Sequence, residues 1–156
     1  MKRSFSICAA ALLLLSLAAR AAAGLPEPTP VFIEGAWVAT GAEVKTYFEK
    51  KAAIIIDVRS REEFEEGHIP GALSVPYFPE YRRPRELFPD EDTLVLWNLQ
   101  YQKHRLIIIY GERTTDWRPY YASLSLVYND FRNILWYRNG LEDWTRRGLP
   151  TASGKK

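Results

Sequence analysis

Residues 53–72, AIIIDVRSREEFEEGHIPGA, constrain this chain more than any other stretch. Ala53 to Val58 is a short isoleucine-rich apolar run, which suits a strand buried on both faces. Asp57 lies at its carboxyl end, where α/β folds place their working loops. Ser60 followed by Glu63 forms a capping box, so a helix is expected to begin there. Gly67 is suited to a left-handed residue closing that helix, and Pro70-Gly71 fits the centre of a type II turn. The chain then re-enters a sheet near Leu73 to Val75. A second apolar strand, RLIIIY at 105–110, follows and opens onto the loop GERTTDW.

The rest of the chain repeats this alternation. Thr40 and Glu43 form another capping box, with Val44, Tyr47 and Phe48 at helical spacing, so a helix is expected over Gly41 to Lys51. Strands at Ala53 to Val58, Ala72 to Val75, Arg105 to Tyr110 and Asn133 to Trp136 alternate with helices, the pattern of a parallel sheet covered on both faces. Asp116 is expected to cap a helix starting at Trp117, where Pro119 is tolerated in the first turn. A last short helix covers Leu141 to Arg147 and ends at Gly148. Four prolines and Arg82, Arg83 and Arg85 mark 76–89 as an irregular connection to a helix near Glu91 to Leu99.

The amino terminus has the layout of a cleavable signal peptide over 1–23. Lys2-Arg3 is the positive region, Ile7 to Leu17 the apolar region, and Ala21-x-Ala23 the small-residue cleavage site, with a cut after Ala21 as the alternative. The apolar stretch is shorter than the roughly 20 residues of a spanning helix, and Arg20 closes it. Of the 21 basic and 19 acidic residues, Lys2, Arg3 and Arg20 lie in this segment with no acid, so the remainder carries 18 basic against 19 acidic residues, net −1. Nothing in that balance points to nucleic acid or an anionic membrane. The expected product is a periplasmic or secreted protein with no membrane span, comprising a proline-rich lead-in at 24–30, one domain at 31–150 and a polar tail at 151–156. The sole cysteine of the whole sequence, Cys8, is inside the signal segment, so the expected product has none.

Asp57, Arg59, Phe64, Gly67, His68, Ile69, Pro70, Gly71 and Ala72 together resemble the first signature of the rhodanese-like domain. LIIIY is placed like the strand before the rhodanese active-site loop, and Asn139-Gly140, Trp144 and Gly148-Leu149-Pro150 resemble its closing element. The ending ILWYRNGLEDWTRRGLP, with a tryptophan just past the loop, is similar to an exported bacterial subgroup linked to quinoprotein alcohol oxidation and marked by Cys-x-x-Cys-Trp. In rhodaneses a cysteine follows the strand directly, and loop N–H groups stabilise its thiolate and persulfide. Here Gly111 holds that position. The loop Gly111 to Asp116 contains no sulfur, and the family's loop arginine has no counterpart, since Arg113 comes too early and Arg118 too late.

What the loop retains is the amino end of a helix and Arg113, which makes Gly111, Glu112, Arg113, Thr114, Thr115 and Asp116 a candidate anion-binding loop. The competing reading is a self-satisfied connection, because Asp116 brings its own negative charge to the same donors. Thr114 and Thr115 lack a base to activate them. No ligand-spaced cluster surrounds His68 or His104, so neither a metal nor another cofactor is expected. Asp57 and Arg59 suit a structural pair, and His68 a hydrogen-bonding turn residue. Trp117, Arg118, Tyr120, Trp136, Tyr137 and Arg138 form a candidate partner face, since Trp, Tyr and Arg carry most interface energy. The expected role is binding or accessory, with a periplasmic protein or small anion as partner. The alternatives are an enzyme that borrows a partner's thiol or uses the loop as an oxyanion site, and a purely structural assembly factor.

Overall fold

The computed structural model describes residues 26–77 and 102–154. The signal segment at 1–23, Gly24 and Leu25, the connection from 78 onward, the helix near Glu91 to Leu99 and the last two tail residues lie outside that range. Among the described residues five strands form one parallel sheet: β1 (Trp37–Val38), β2 (Ile54–Asp57), β3 (Leu73–Ser74), β4 (Ile107–Tyr110) and β5 (Ile134–Tyr137), in the order β1-β5-β4-β2-β3. The described residues also form four helices, three between strands and the last after β5: α1 (Gly41–Glu49), α2 (Arg61–Glu66), α3 (Arg118–Tyr128) and α4 (Gly140–Arg146). No helix among the described residues is long and apolar enough to cross a membrane.

Alternation along the central strands sends side chains to two cores. Ile55, Ile108, Tyr110 and Tyr137 pack with Val44 of α1, Phe64 of α2, and Leu141 and Trp144 of α4. Ile56, Ile107, Ile109 and Ile134 pack on the other face with Ala122 and Leu126 of α3. Both faces of the sheet are therefore covered, which is why β2 and β4 read as continuous isoleucine runs.

Local chemistry sets the helix ends. Thr40 and Ser60 each accept from the N–H three residues on, while Glu43 and Glu63 reach back to the cap N–H, so both capping boxes form. Gly71 and Gly148 have the positive φ angles their turns require, 84° and 68°. Gly67 does not take the left-handed conformation: its φ of 177° is ordinary extended backbone, and the helix simply runs out into the next turn. The helix expected to start at Trp117 begins at Arg118, with Trp117 as an uncapped N-cap. β1 is absent from the sequence reading; it is two residues long, both exposed, and it pairs with β5 at the edge of the sheet.

Parallel register aligns Asp57, Tyr110 and Tyr137 in one row at the carboxyl edge, with Ser74 beside Asp57. The loop after β4 leaves this edge and is held against α4. Leu141 N–H donates to the Gly111 carbonyl at 2.9 Å and Glu142 N–H to the Glu112 carbonyl at 3.0 Å, so two otherwise orphaned donors of the helix end are satisfied by the loop backbone. Gly140 makes this approach possible. Its φ is 64°, and a Cβ there would sit 2.5 Å from both carbonyl oxygens. Gly140→Ala is expected to cost at least about 2 kcal/mol, because backbone strain and a backbone clash add. Urea unfolding at neutral pH measures it; a loss under about 0.5 kcal/mol, the range of ordinary surface changes, would contradict the contact.

Candidate functional site

The carboxyl edge is a network of paired charges. Asp57 is fully buried and Arg59 is 3% exposed. The Arg59 guanidinium donates to both Asp57 oxygens, to the Gly67 carbonyl and, through its second terminal nitrogen, to Glu112 Oε2 at 2.9 Å. Burial works to lower the Arg59 pKa, and the hydrogen bonds and charge of Asp57 outweigh it, so the group is pushed up and stays charged. Three segments are thereby fastened together: the end of β2, the turn after α2, and the loop after β4. The buried Tyr110 hydroxyl accepts from Ile69 N–H at 3.0 Å. Burial first, and the neighbouring Asp57 second, push its pKa up.

His68 is buried and stacked on Phe64, with ring centroids 3.6 Å apart. Its Nδ1 lies 2.7 Å from the Phe64 carbonyl, an arrangement in which Nδ1–H donates. The His68 backbone also exchanges two hydrogen bonds with Ala152, which ties the tail to the turn.

Within the loop, Asp116 is the organising residue. Its carboxylate accepts from Glu112 N–H at 2.9 Å and from Arg118 through the backbone N–H, Nε and a terminal nitrogen, at 2.9–3.0 Å. It stands one residue before the helix cap rather than at it. A Cβ placed on Gly111 would fall on Asp116 Oδ2 and lie 2.9 Å from Pro119 Cδ. The carboxylate thus fills the space that any side chain at 111 would enter. The guanidinium of Arg118 turns back from α3 to this carboxylate and to Glu63 of α2, at 3.1 Å for one nitrogen. Burial lowers the Arg118 pKa less than Glu63 and Asp116 raise it, so its net shift is upward.

The remaining candidate loop residues are arranged less tightly. Arg113 is 3.8 Å from Glu112 and 3.7 Å from Glu142, and its side chain is half exposed. No described residue accepts from the N–H groups of Arg113, Thr114 or Thr115. Thr115 lines an open depression with Glu63, Glu112, Arg113, Asp116, Trp117 and Arg118. Three carboxylates face two guanidiniums there, so the depression carries no excess of positive charge. The described residues contain no group of three metal-ligating side chains.

The candidate partner face does not form one surface. Trp136 and Tyr137 are both fully buried, on opposite sides of the sheet. Adjacent residues of a strand point to opposite faces, and that spacing overrides their proximity in sequence. Tyr137 donates to Asp143 at 2.9 Å in the α4 core. Trp136 packs edge-on against Tyr120 at 5.5 Å, within a stack that includes Trp117 and Tyr121. Arg118 is committed to Asp116 and Glu63. Trp117 and Arg138 meet a segment that sequence reasoning treated as a lead-in, residues 27–30. Trp117 Nε1 donates to the Glu27 carbonyl, and Arg138 donates to Thr29 and Pro30. Proline content was the only signal for that segment, and nothing in it announced a docking position. Glu63, too, gave only its capping role; its partnership with Arg118 spans 55 residues and has no local signature.

A parallel α/β sheet with its loop after β4 packed over the strand ends defines a doubly covered single-domain fold of the rhodanese kind. A family model described as Rhodanese-like domain matches residues 40–147, and the chain belongs to that family. It is 28% identical over 112 residues to a tRNA uridine(34) hydroxylase from Sodalis glossinidius, covering 69% of this chain and 29% of that protein. The chain thus spans under a third of the length of that curated relative. The rhodanese-like domain of an Anabaena protein superposes with a TM-score of 0.57 at 26% identity, covering 74% of this chain and 78% of that one. The thiosulfate sulfurtransferase of Pseudomonas aeruginosa shares the fold, with a TM-score of 0.54 at 24% identity, covering 76% of this chain and 20% of that one.

The Arg118 hydrogen bond to Glu63 holds that carboxyl down at about 2, from 4.5. A depressed folded-state pKa stabilises above the unfolded value and loses that contribution as pH falls toward 2. The Glu63 side chain is 35% exposed, so screening reduces the effect to about 1 kcal/mol. Wild type is expected to exceed Glu63→Gln by that amount in urea unfolding at pH 7, with the gap closing between about pH 5 and 2. A gap that does not change with pH would contradict the pairing.

Proposed function

We propose that this chain is a rhodanese-like domain without sulfurtransferase chemistry of its own, acting as a binding or accessory protein. The observation that carries this is the Asp116 carboxylate lying against Gly111. Persulfide chemistry needs a thiolate at that position and loop N–H donors aimed at its sulfur. Here the position has no side chain, the space beside it is filled, and the first donor, Glu112 N–H, is spent on Asp116. The charge of the loop is balanced internally by Arg118 and Arg59.

The same proposal includes export to the periplasm, supported by Lys2-Arg3, the apolar run Ile7 to Leu17 and the alanines at 21 and 23. A place in sulfur, redox or quinoprotein-linked metabolism, with a protein as partner, rests on the resemblance of residues 134–150 and the tryptophan just past the loop to the exported subgroup. The hydroxylase and sulfurtransferase activities carried in the names of the relatives belong to those proteins.

Thiosulfate and cyanide test the chemical half. The purified protein is expected to form no thiocyanate above background, and Gly111→Cys alone is expected to stay at background, because its Cβ meets Asp116. Combining Gly111→Cys with Asp116→Ala removes the carboxylate clash, leaves only the contact with Pro119 Cδ, and is expected to be the better-folded variant of the two. Thiocyanate formation by the wild-type chain would overturn the reading. The export half is tested by the amino-terminal mass of the chain recovered from the periplasm, expected to begin at Gly24 or Ala22; an uncut chain confined to the cytoplasm would contradict it.

A further inference from the structure

The segment Glu27-Pro28-Thr29-Pro30 lies across the tip of the loop, and its contacts have the form of a bound peptide. Thr29 is the anchor: it is 3% exposed, while the residues on either side are exposed. Its backbone N–H and its hydroxyl each donate to the Thr114 carbonyl at 2.8 Å. The same hydroxyl accepts from Arg138 Nε at 3.1 Å. Arg138 also donates to the Pro30 carbonyl at 2.9 Å and the Thr29 carbonyl at 2.6 Å. Trp117 Nε1 donates to the Glu27 carbonyl at 3.3 Å. No other hydrogen-bond partner of the Arg138 guanidinium or of the Trp117 indole occurs among the described residues.

This pattern reads backbone carbonyls at three positions and one side chain, the buried hydroxyl, which is held as donor and acceptor together. Valine there would leave the Thr114 carbonyl and Arg138 without that partner, the basis on which a polar site rejects an isostere. The flanking prolines lack N–H groups, so an exposed extended backbone leaves no donor unmet, and their fixed φ lowers the cost of ordering the segment. We propose that the loop tip, Trp117 and Arg138 form a binding site for an extended partner segment with threonine or serine between two prolines, and that residues 27–30 occupy it as a ligand in cis. The inference rests on the binding role above and names the partner class. A tether this short keeps the cis segment at an effective concentration on the order of millimolar, so a partner enters only when that segment is released.

A fluorescently labelled peptide of residues 26–32, followed by anisotropy with the full chain, tests this. Thr29→Val weakens the cis anchor, so the peptide is expected to bind that variant roughly tenfold more tightly than wild type. Thr29→Ser should stay closed like wild type. Adding Arg138→Ala to Thr29→Val should abolish uptake, and a peptide with valine in place of its threonine should not bind. Equal binding to wild type and Thr29→Val, or none to a folded Thr29→Val chain, would overturn the proposal. If Thr29→Val does not fold, amide exchange in the wild type decides: a protected Thr29 N–H supports the docked segment, and exchange at the rate of a free peptide overturns it. A variant that ignores the peptide and forms no thiocyanate removes this inference and leaves the binding role standing, whereas thiocyanate formation by wild type removes both.

Discussion

A fully buried carboxylate has to be paired, and Asp57 is paired by Arg59, two residues on in the same strand end. That one requirement organises the carboxyl edge of the sheet. Once Arg59 is folded back on Asp57, its remaining donors point to the Gly67 carbonyl and to Glu112. The turn after α2 and the loop after β4 are thereby brought to fixed positions on either side of β2. The neighbouring Tyr110 and Tyr137 complete the row from within the sheet, each sealed by burial and a hydrogen-bonding partner. The functional end of the domain is built on a charge pair with almost no solvent access, and the loop inherits its position from it.

The loop repeats the same solution at smaller scale. Its own carboxylate, Asp116, takes an N–H donor at the loop entrance and draws Arg118 back from α3, and Arg118 in turn engages the capping glutamate of α2. The loop carbonyls meanwhile satisfy the exposed donors of α4. Loop, α2, α3 and α4 become one interlocked unit. The tip is the part left over, and there the chain's own residues 27–30 supply the partner.

The sequence made β2 to β5, both capping boxes and the turn at Gly71 legible, because each rests on residues within a few positions of one another. What it left hidden depends on distance in the chain. β1 is two residues at a sheet edge, too short to show a period. Gly67, by its place after a helix, suits a left-handed angle, but the helix ends without one, and the Gly67 carbonyl accepts from Arg59, a contact that no local pattern of the helix provides. Asp116 reads locally as a helix cap; only the return of the chain beside Gly111 makes it the occupant of that space. Trp136 and Tyr137 looked like one aromatic pair, and strand alternation divides them between two cores. Thr29 and Arg138 lie 109 residues apart, and no local pattern connects them.

The central claim is that Asp116 fills the space beside Gly111 and has taken over the loop. A thermodynamic cycle on these two residues tests it most directly: unfolding free energies of wild type, Gly111→Ala, Asp116→Ala and the double variant at neutral pH. A methyl group at 111 meets the carboxylate in wild type but not once it is removed. The expected result is a substantial loss for Gly111→Ala alone, about 2 kcal/mol, that shrinks in the Asp116→Ala background to what the contact with Pro119 Cδ still costs, giving a coupling of about 1 kcal/mol. Additive losses, with Gly111→Ala costing the same in both backgrounds, would mean that Asp116 does not occupy the site.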